Sequence, residues 1–188
     1  MTAAGGPHQP RPAASPMITL PRPAPSEHAA YYRGYIDQVP DGDVVLHLRR
    51  PSAMAALLDR VSEERARFRY AKDKWSVAQV LGHVVDTERL FAHRALAIAR
   101  RDPADQPSMD QDLWIAGADF DRRTLSSLCT ELRAVRSATV ALFATFDSEV
   151  GQRTGRASGN PFTVRSLVWT VAGHELHHLQ ILRERYAV

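Results

Sequence analysis

Close to its C-terminus the chain carries Leu167, Val171, His174, His178 and Ile181, spaced i, i+4, i+7, i+11, i+14. That is one stripe of an α-helix, so two imidazoles occupy positions where a helical protein ordinarily buries leucine or valine. Two histidines stacked one turn apart lose more hydration than one, and every ring nitrogen needs a partner. The same residues fall in His174-Glu175-Leu176-His177-His178, the H-E-x-x-H pattern of a helix that holds a divalent metal. His174 and His178 differ by about 40° around the axis and one turn along it, so both can reach one ion. His177 falls instead with Thr170, Gly173, Gln180 and Glu184, a polar face. The plain alternative is a pair of core histidines satisfied by hydrogen bonds. A bound ion, which takes both neutral lone pairs, offsets the desolvation more fully.

The position of the run narrows the chemistry. A zinc peptidase of the usual kind takes its third ligand downstream of H-E-x-x-H, but only ten residues follow His178, and Glu184 is the one conventional ligand among them. The third ligand is therefore expected from an upstream helix. His8 lies in the N-terminal tail, His28 at its edge, and His47 ahead of the second helix. His83 and His93 share a helix but stand about 280° apart on it. His83 falls with Val80, Thr87 and Leu90, beside the apolar Val77/Val84 stripe, whereas His93 falls with Arg89 and Arg100. His83 is thus the expected third ligand, a plain helix–helix contact being its alternative. Three imidazoles and an open position describe a catalytic zinc or nickel centre rather than a closed structural one.

The rest of the chain reads as helices able to enclose such a site. Residues 1–26 hold seven of the twelve prolines and are expected to be a disordered tail; nothing before Met17 reads as structural. Residues 27–188 are expected to form one domain. A short helix is expected over Ala29–Val39, carrying Tyr31, Tyr32 and Tyr35, and a second from Pro51 to about Phe68. Ser76 with Gln79 makes a capping box that opens a third helix, which ends near Arg100-Arg101. Residues 102–120 read as a long connection with a turn of helix near Trp114. A fourth helix is expected over Thr124–Phe146, a loop at Gly151, Gly155, Gly159 and Pro161, and a last helix over Thr163–Tyr186. No segment alternates with period two. The expected class is all-α: a four-helix bundle with one long crossover and a short N-terminal helix.

Composition excludes several roles. The net charge is +3, but the charges alternate in sign, as in Glu63-Glu64-Arg65, which describes solvated helix faces rather than a nucleic-acid footprint. No apolar run reaches the ~20 residues of a membrane span, and there is no secretory pattern at the N-terminus. A single cysteine, Cys129, excludes an internal disulfide and fits a reducing cytoplasm. Cys129 lies between Leu125 and Leu132 on an apolar stripe and is expected in the core, as is Trp169. Trp114 is expected either to line a pocket or to cover the bundle end.

Trp75-Ser76-Val77 leading to Gly82-His83, then Asp86-Thr87-Glu88-Arg89-Leu90-Phe91, and finally Gly173-His174-Glu175-Leu176-His177-His178-Leu179-Gln180 resemble the DinB/YfiT-like (damage-inducible) family of putative metal-dependent enzymes. The resemblance covers about residues 20–188. It implies an up-down-down-up helix order, a divalent metal on His83, His174 and His178, and a homodimer. It further implies S-transfer or isomerisation with a low-molecular-weight thiol such as bacillithiol, mycothiol or glutathione, and an electrophilic partner substrate. Gln180 matches the motif as a group packing between helices or supporting the site. One loop departs from the family: where close relatives read Gly-Phe-Asp, this chain has Ser108-Met109-Asp110-Gln111-Asp112.

Two enzymatic expectations follow. In a transferase the metal's open position takes a thiol and lowers its pKa, with the sulfur supplied by the cosubstrate. In a hydrolase the metal takes water and Glu175 is the catalytic general base, a position that its 60° offset from His178 permits. Glu175 as a surface group, or as one that orients an imidazole, is the competing role. A non-catalytic metal-binding dimer is the third expectation.

Overall fold

The computed structural model describes residues 20–188. A 3₁₀ turn at Ala30–Tyr32 runs into α1, Arg33–Ile36. Then come α2 (Val44–Arg49), α3 (Ala53–Leu58), α4 (Val77–Ala99), α5 (Gln111–Ala118), α6 (Leu125–Phe143) and α7 (Ser148–Gly151). A hairpin of β1 (Thr154–Ala157) and β2 (Asn160–Thr163) leads directly into α8, Val164–Arg185. The class is all-α. The bundle consists of the broken α2–α3 arm, α4, α6 and α8.

Contacts at the helix ends give the up-down-down-up order. Ser76, just ahead of α4, donates to Asp121, just ahead of α6, and Ile98 near the far end of α4 shares a core cluster with Phe143 at the far end of α6, so these two helices run parallel. The long connection over residues 100–124 makes that geometry reachable. α8 runs against α4: Arg153, just before the hairpin, donates to the Ala99 carbonyl at the end of α4. At the other end, the Tyr186 hydroxyl donates to the Trp75 carbonyl. The α2–α3 arm runs against α6, with Leu48 opposite Val140 and Glu63 beyond the arm accepting from the Leu125 amide.

The elements follow from local sequence. Ser76 and Gln79 form the reciprocal cap of α4, with bonds of 3.1 and 3.0 Å. Thr163 caps α8 at the Ser166 amide. The second expected helix is much shorter than Pro51–Phe68. Pro51 separates α2 from α3, and Asp43 and Ser52 cap the two pieces. After Leu58, Val61 is the only apolar residue before Ala66, so residues 59–64 have no stripe to bury and turn outward. The expected loop at Gly155–Pro161 is instead a hairpin with Ala157 opposite Asn160. Its two central residues, Ser158 and Gly159, have φ of 53° and 74°, the left-handed pair that a two-residue hairpin turn demands. Four-residue strands containing Gly155 and Pro161 show no alternation to find.

The first nineteen residues of the expected 1–26 tail lie outside the described residues. Within residues 20–26, Leu20 and Pro23 are buried and Pro21, Ala24, Pro25 and Ser26 are exposed; the Trp169 indole donates to the Leu20 carbonyl, and Arg22 donates to the Ile36 and Val39 carbonyls while stacking over the Trp169 ring. Among the described residues no helix is long and apolar enough to cross a membrane.

The core is divided in two. One apolar cluster gathers Phe91, Ile98, Phe143, Phe162, Val168 and Trp169 at the hairpin end of the bundle. The other gathers Met54, Leu58, Val77, Leu81, Leu132 and Leu182 at the opposite end. Between them α4 contributes His83, Thr87 and Glu88, α6 contributes Arg136 and Thr139, and α8 contributes His174, Glu175 and His178, all buried. Polar chemistry therefore sits in a layer across the waist.

α1 reaches this layer because of one glycine. A β-carbon on Gly173 would lie 2.0 Å from the Tyr35 carbonyl oxygen, a backbone atom that cannot swing aside. Gly173→Ala is expected to push α1 off α8 and lower stability by about 1–3 kcal/mol, as overpacking does. Thermal melting measures the loss, and an increase in Tyr35 solvent exposure locates it.

Candidate metal centre

The three expected ligands converge. His83 from α4 and His178 from α8 each place Nε2 3.1 Å from Nε2 of His174. All three histidines are buried, and their ligand atoms lie within 4.8 Å of one another. Two nitrogens on a tetrahedral zinc, with bonds of about 2.0–2.1 Å, stand about 3.3 Å apart, close to the spacing seen here. Hydrogen bonding alone does not account for it. His174 Nε2 carries either one proton or one in-plane lone pair, so it cannot bond properly to both neighbours. A cation at the point of convergence satisfies all three.

Electrostatics agrees. Burial, reinforced by the nearby His177, pushes His83 down to about 4. Burial and the neighbouring imidazoles hold His174 and His178 well below the ordinary histidine range. All three are therefore neutral at pH 7, with lone pairs free for a cation. Thr87 Oγ1 lies 3.4 Å from His83 Nδ1, and the Trp75 ring tilts against the imidazole at a centroid distance of 4.8 Å. His178 Nδ1 is buried without a partner among the described residues. His177 stays outside the cluster, half-buried, with its Nδ1 3.5 Å from Gln38 Nε2. His93 is exposed.

Glu175 is engaged by other side chains of the bundle. Its carboxylate accepts from Arg136 at 2.7 Å and from the Ser52 hydroxyl, with the Met54 amide nearby. Burial alone would raise its pKa, but Arg136 and Ser52 outweigh it and hold the group below the usual carboxylate range. Arg136 also grips Glu88 of α4 through two bonds of 2.9 and 2.8 Å. One guanidinium thus ties α4, α6 and α8 together beside the histidines. The Glu88–Arg136 partnership was not foreseen from the sequence.

The histidines form one wall of a cavity of about 460 Å³. His83 and His174 face it, with Thr87, Leu90, Phe91 and Arg94 further along α4. Tyr31, Tyr32 and Tyr35 form another wall, and Ser108–Gln111 and Ser158 close the far side. The loop that departs from the resembled family is therefore part of the cavity. Tyr35 stands edge-on to His174 at 5.3 Å, and its hydroxyl bonds to that of Tyr31 at 2.8 Å. Burial and Tyr31 push the Tyr35 pKa up, so it remains a hydrogen-bond donor. Cys129 is fully buried away from the cavity, its thiol pushed up to about 11 by burial. Trp169 is core, as expected. Trp114 is half-exposed on α5 and outside the cavity lining. Gln180 is exposed and bonds to Glu184, so it supports neither the packing nor the site.

Arg136→Leu removes the only cation between two buried carboxylates and is expected to cost about 3–5 kcal/mol. Chemical denaturation measures it, and restoring stability with Glu88→Leu in the same chain identifies the uncompensated charge as the cause.

The profile of the DinB superfamily matches residues 47–182. No curated protein matches in sequence. Among solved structures, YfiT from Bacillus subtilis is 16% identical with a TM-score of 0.59, over 95% of this chain and 93% of that one. YfiT is described as a probable metal-dependent hydrolase with an unusual four-helix bundle topology. The DinB-like protein YjoA from Bacillus subtilis is 18% identical with a TM-score of 0.54, over 77% of this chain and 90% of that one. At these identities the structures establish the fold.

Proposed function

The chain belongs to the DinB superfamily, and from that premise we propose that it is a divalent-metal-dependent enzyme whose ion is held by His83, His174 and His178, and which transfers a low-molecular-weight thiol to an electrophilic substrate. The observation that carries the ligand set is the convergence of three neutral imidazoles at one point on the wall of a cavity. The donor set suits zinc or nickel. When bound, the ion supplies a Lewis-acid position at which a thiol or a water ionises near neutral pH.

The chain's own residues do the rest. Thr87 and Trp75 fix the ring of His83, and His174 sits between its two neighbours on the rigid α8. Tyr35 presents a donor hydroxyl beside the ligands, suited to a carbonyl or leaving-group oxygen of the substrate. Phe91 and Leu90 give the cavity an apolar floor that limits water. No cysteine of the chain can act as nucleophile, since Cys129 is buried with a raised pKa, so the sulfur comes from a cosubstrate such as bacillithiol, mycothiol or glutathione. Glu175 serves as a positioning residue: its ion pair with Arg136 holds the helical turn that carries His174 and His178. A homodimer remains part of the proposal.

A hydrolase is the second reading, favoured by the description of YfiT. Glu175, whose acceptor positions are committed to Arg136 and Ser52, would not be its general base, and water ionised at the ion would be the nucleophile.

Tag-free protein should contain about one zinc or nickel per chain. His83→Ala and His178→Ala should lose it, while His177→Ala should keep nearly all of it, each read by elemental analysis. Consumption of 1-chloro-2,4-dinitrobenzene only when glutathione or another small thiol is added would support transfer. Thiol-independent cleavage of an ester or amide would replace it with hydrolysis.

A further inference from the structure

Arg94 lies three turns along α4 from His83 and about 20° around the axis from it, so it lines the same cavity beyond the histidines. It is 2% exposed. Its Nη2 donates to the Pro107 carbonyl at 2.6 Å and to Ser158 Oγ at 3.0 Å. Its Nε is buried with no partner, and Nη1 makes no hydrogen bond among the described residues. No carboxylate of those residues pairs with it. Asp110, which lines the cavity, caps α5 through Oδ1, and Asp105 accepts from Gly159 and pairs with Arg156.

The contrast with Arg136 is informative. Both guanidiniums are buried. Arg136 meets two carboxylates; Arg94 meets a carbonyl and a hydroxyl, which fix its position and leave its charge uncompensated. A buried charge in that condition is costly unless an anion joins it. The space that it lines is the cavity.

We propose that Arg94 receives an anionic group of the substrate, and that the substrate class is an elongated small molecule bearing a carboxylate or similar oxyanion at the end remote from the reacting atom. Phe91 is the spacer: its ring centroid lies 6.0 Å from that of His174 and 5.7 Å from the Arg94 guanidinium carbon. A molecule with one atom at the histidines and its anion at Arg94 must span that ring. The inference rests on the reading of this cavity as the substrate site. Because Arg94 also holds Pro107 and Ser158, arrival of the anion would tighten the cavity's far wall, formed by the 108–111 loop and the hairpin turn.

The full-length protein, as purified, is titrated with methanesulfonate, an oxyanion that coordinates metals weakly, and in parallel with neutral dimethyl sulfone. NMR follows the Arg94 Nε–H and Ser158 amide resonances. A saturable shift with the anion and none with the sulfone is expected. Arg94→Gln should weaken that affinity by roughly tenfold or more, the value of a charge-assisted bond, while keeping its metal content and its melting temperature within a few degrees. Arg94→Lys, which keeps the charge, should retain detectable binding. No saturable shift, equal affinity for the sulfone, or unchanged affinity in Arg94→Gln overturns the proposal. The titration is repeated on chelator-treated protein. A response that vanishes with the metal but survives Arg94→Gln places the anion at the ion, which overturns this proposal and leaves the metal centre standing. An Arg94-dependent response in a protein that binds no metal supports this proposal and removes the metal centre instead.

Discussion

Arg136 reaches from α6 across the waist of the bundle and holds Glu88 on α4 and Glu175 on α8, with all three side chains under a tenth exposed. Removing three charges from water costs several kcal/mol per ion, and Coulomb attraction recovers it only where geometry and extra hydrogen bonds are good. Here they are: two bonds to Glu88, one to Glu175, and a hydroxyl from Ser52 on α3. Replacing the set with leucines would fill the same layer at little or no cost in stability. What the ion pairs add is position. They fix the axial register of α4 against α8, and that register decides whether His83 meets His174 and His178 or misses them by a turn.

The layer also has a charge surplus. Two carboxylates face one guanidinium, so the group carries a net negative charge next to three imidazoles that burial keeps neutral. A divalent cation at the point of convergence would be attracted by that surplus and would take up the nitrogen lone pairs. Arg94 stands on the cavity beyond Phe91, while the acidic waist lies behind the histidines of the cavity wall. A cation at the histidines and an anion at Arg94 would give the cavity two ends of opposite preference, the pattern of a site that orients an asymmetric ligand.

Much of this was legible in the chain. A helix stripe that runs through Leu167, Val171, His174 and His178 can face only the core, and the rotation of His83 toward Val80 and Thr87 separated it from His93; the structure keeps each of those placements. The reciprocal cap at Ser76 and Gln79 marked the start of α4 correctly. What escaped was set by tertiary partners. The hairpin at Thr154–Thr163 has strands too short to alternate, and its stability depends on Gln106, whose amide and carbonyl bond to Arg156 and Ser158 from a distant loop. The break after Leu58 came from missing apolar positions rather than from a proline or glycine. Glu175 was weighed as a base because of its motif, yet its environment depends on Arg136 and Ser52, residues far from it in sequence. Arg94, eleven positions after His83, shares its helical face and could have been found by the rotation that selected His83.

The central claim is that His83, His174 and His178 bind one divalent ion through their Nε2 atoms. X-ray absorption at the metal edge of tag-free protein tests it most directly. The expected spectrum shows a first shell with three nitrogen donors at about 2.0–2.1 Å and the outer-shell scattering of imidazole rings, with the remaining position filled by a light atom or an added thiol. A metal-free protein, or a shell of oxygen donors without imidazole scattering, would contradict it.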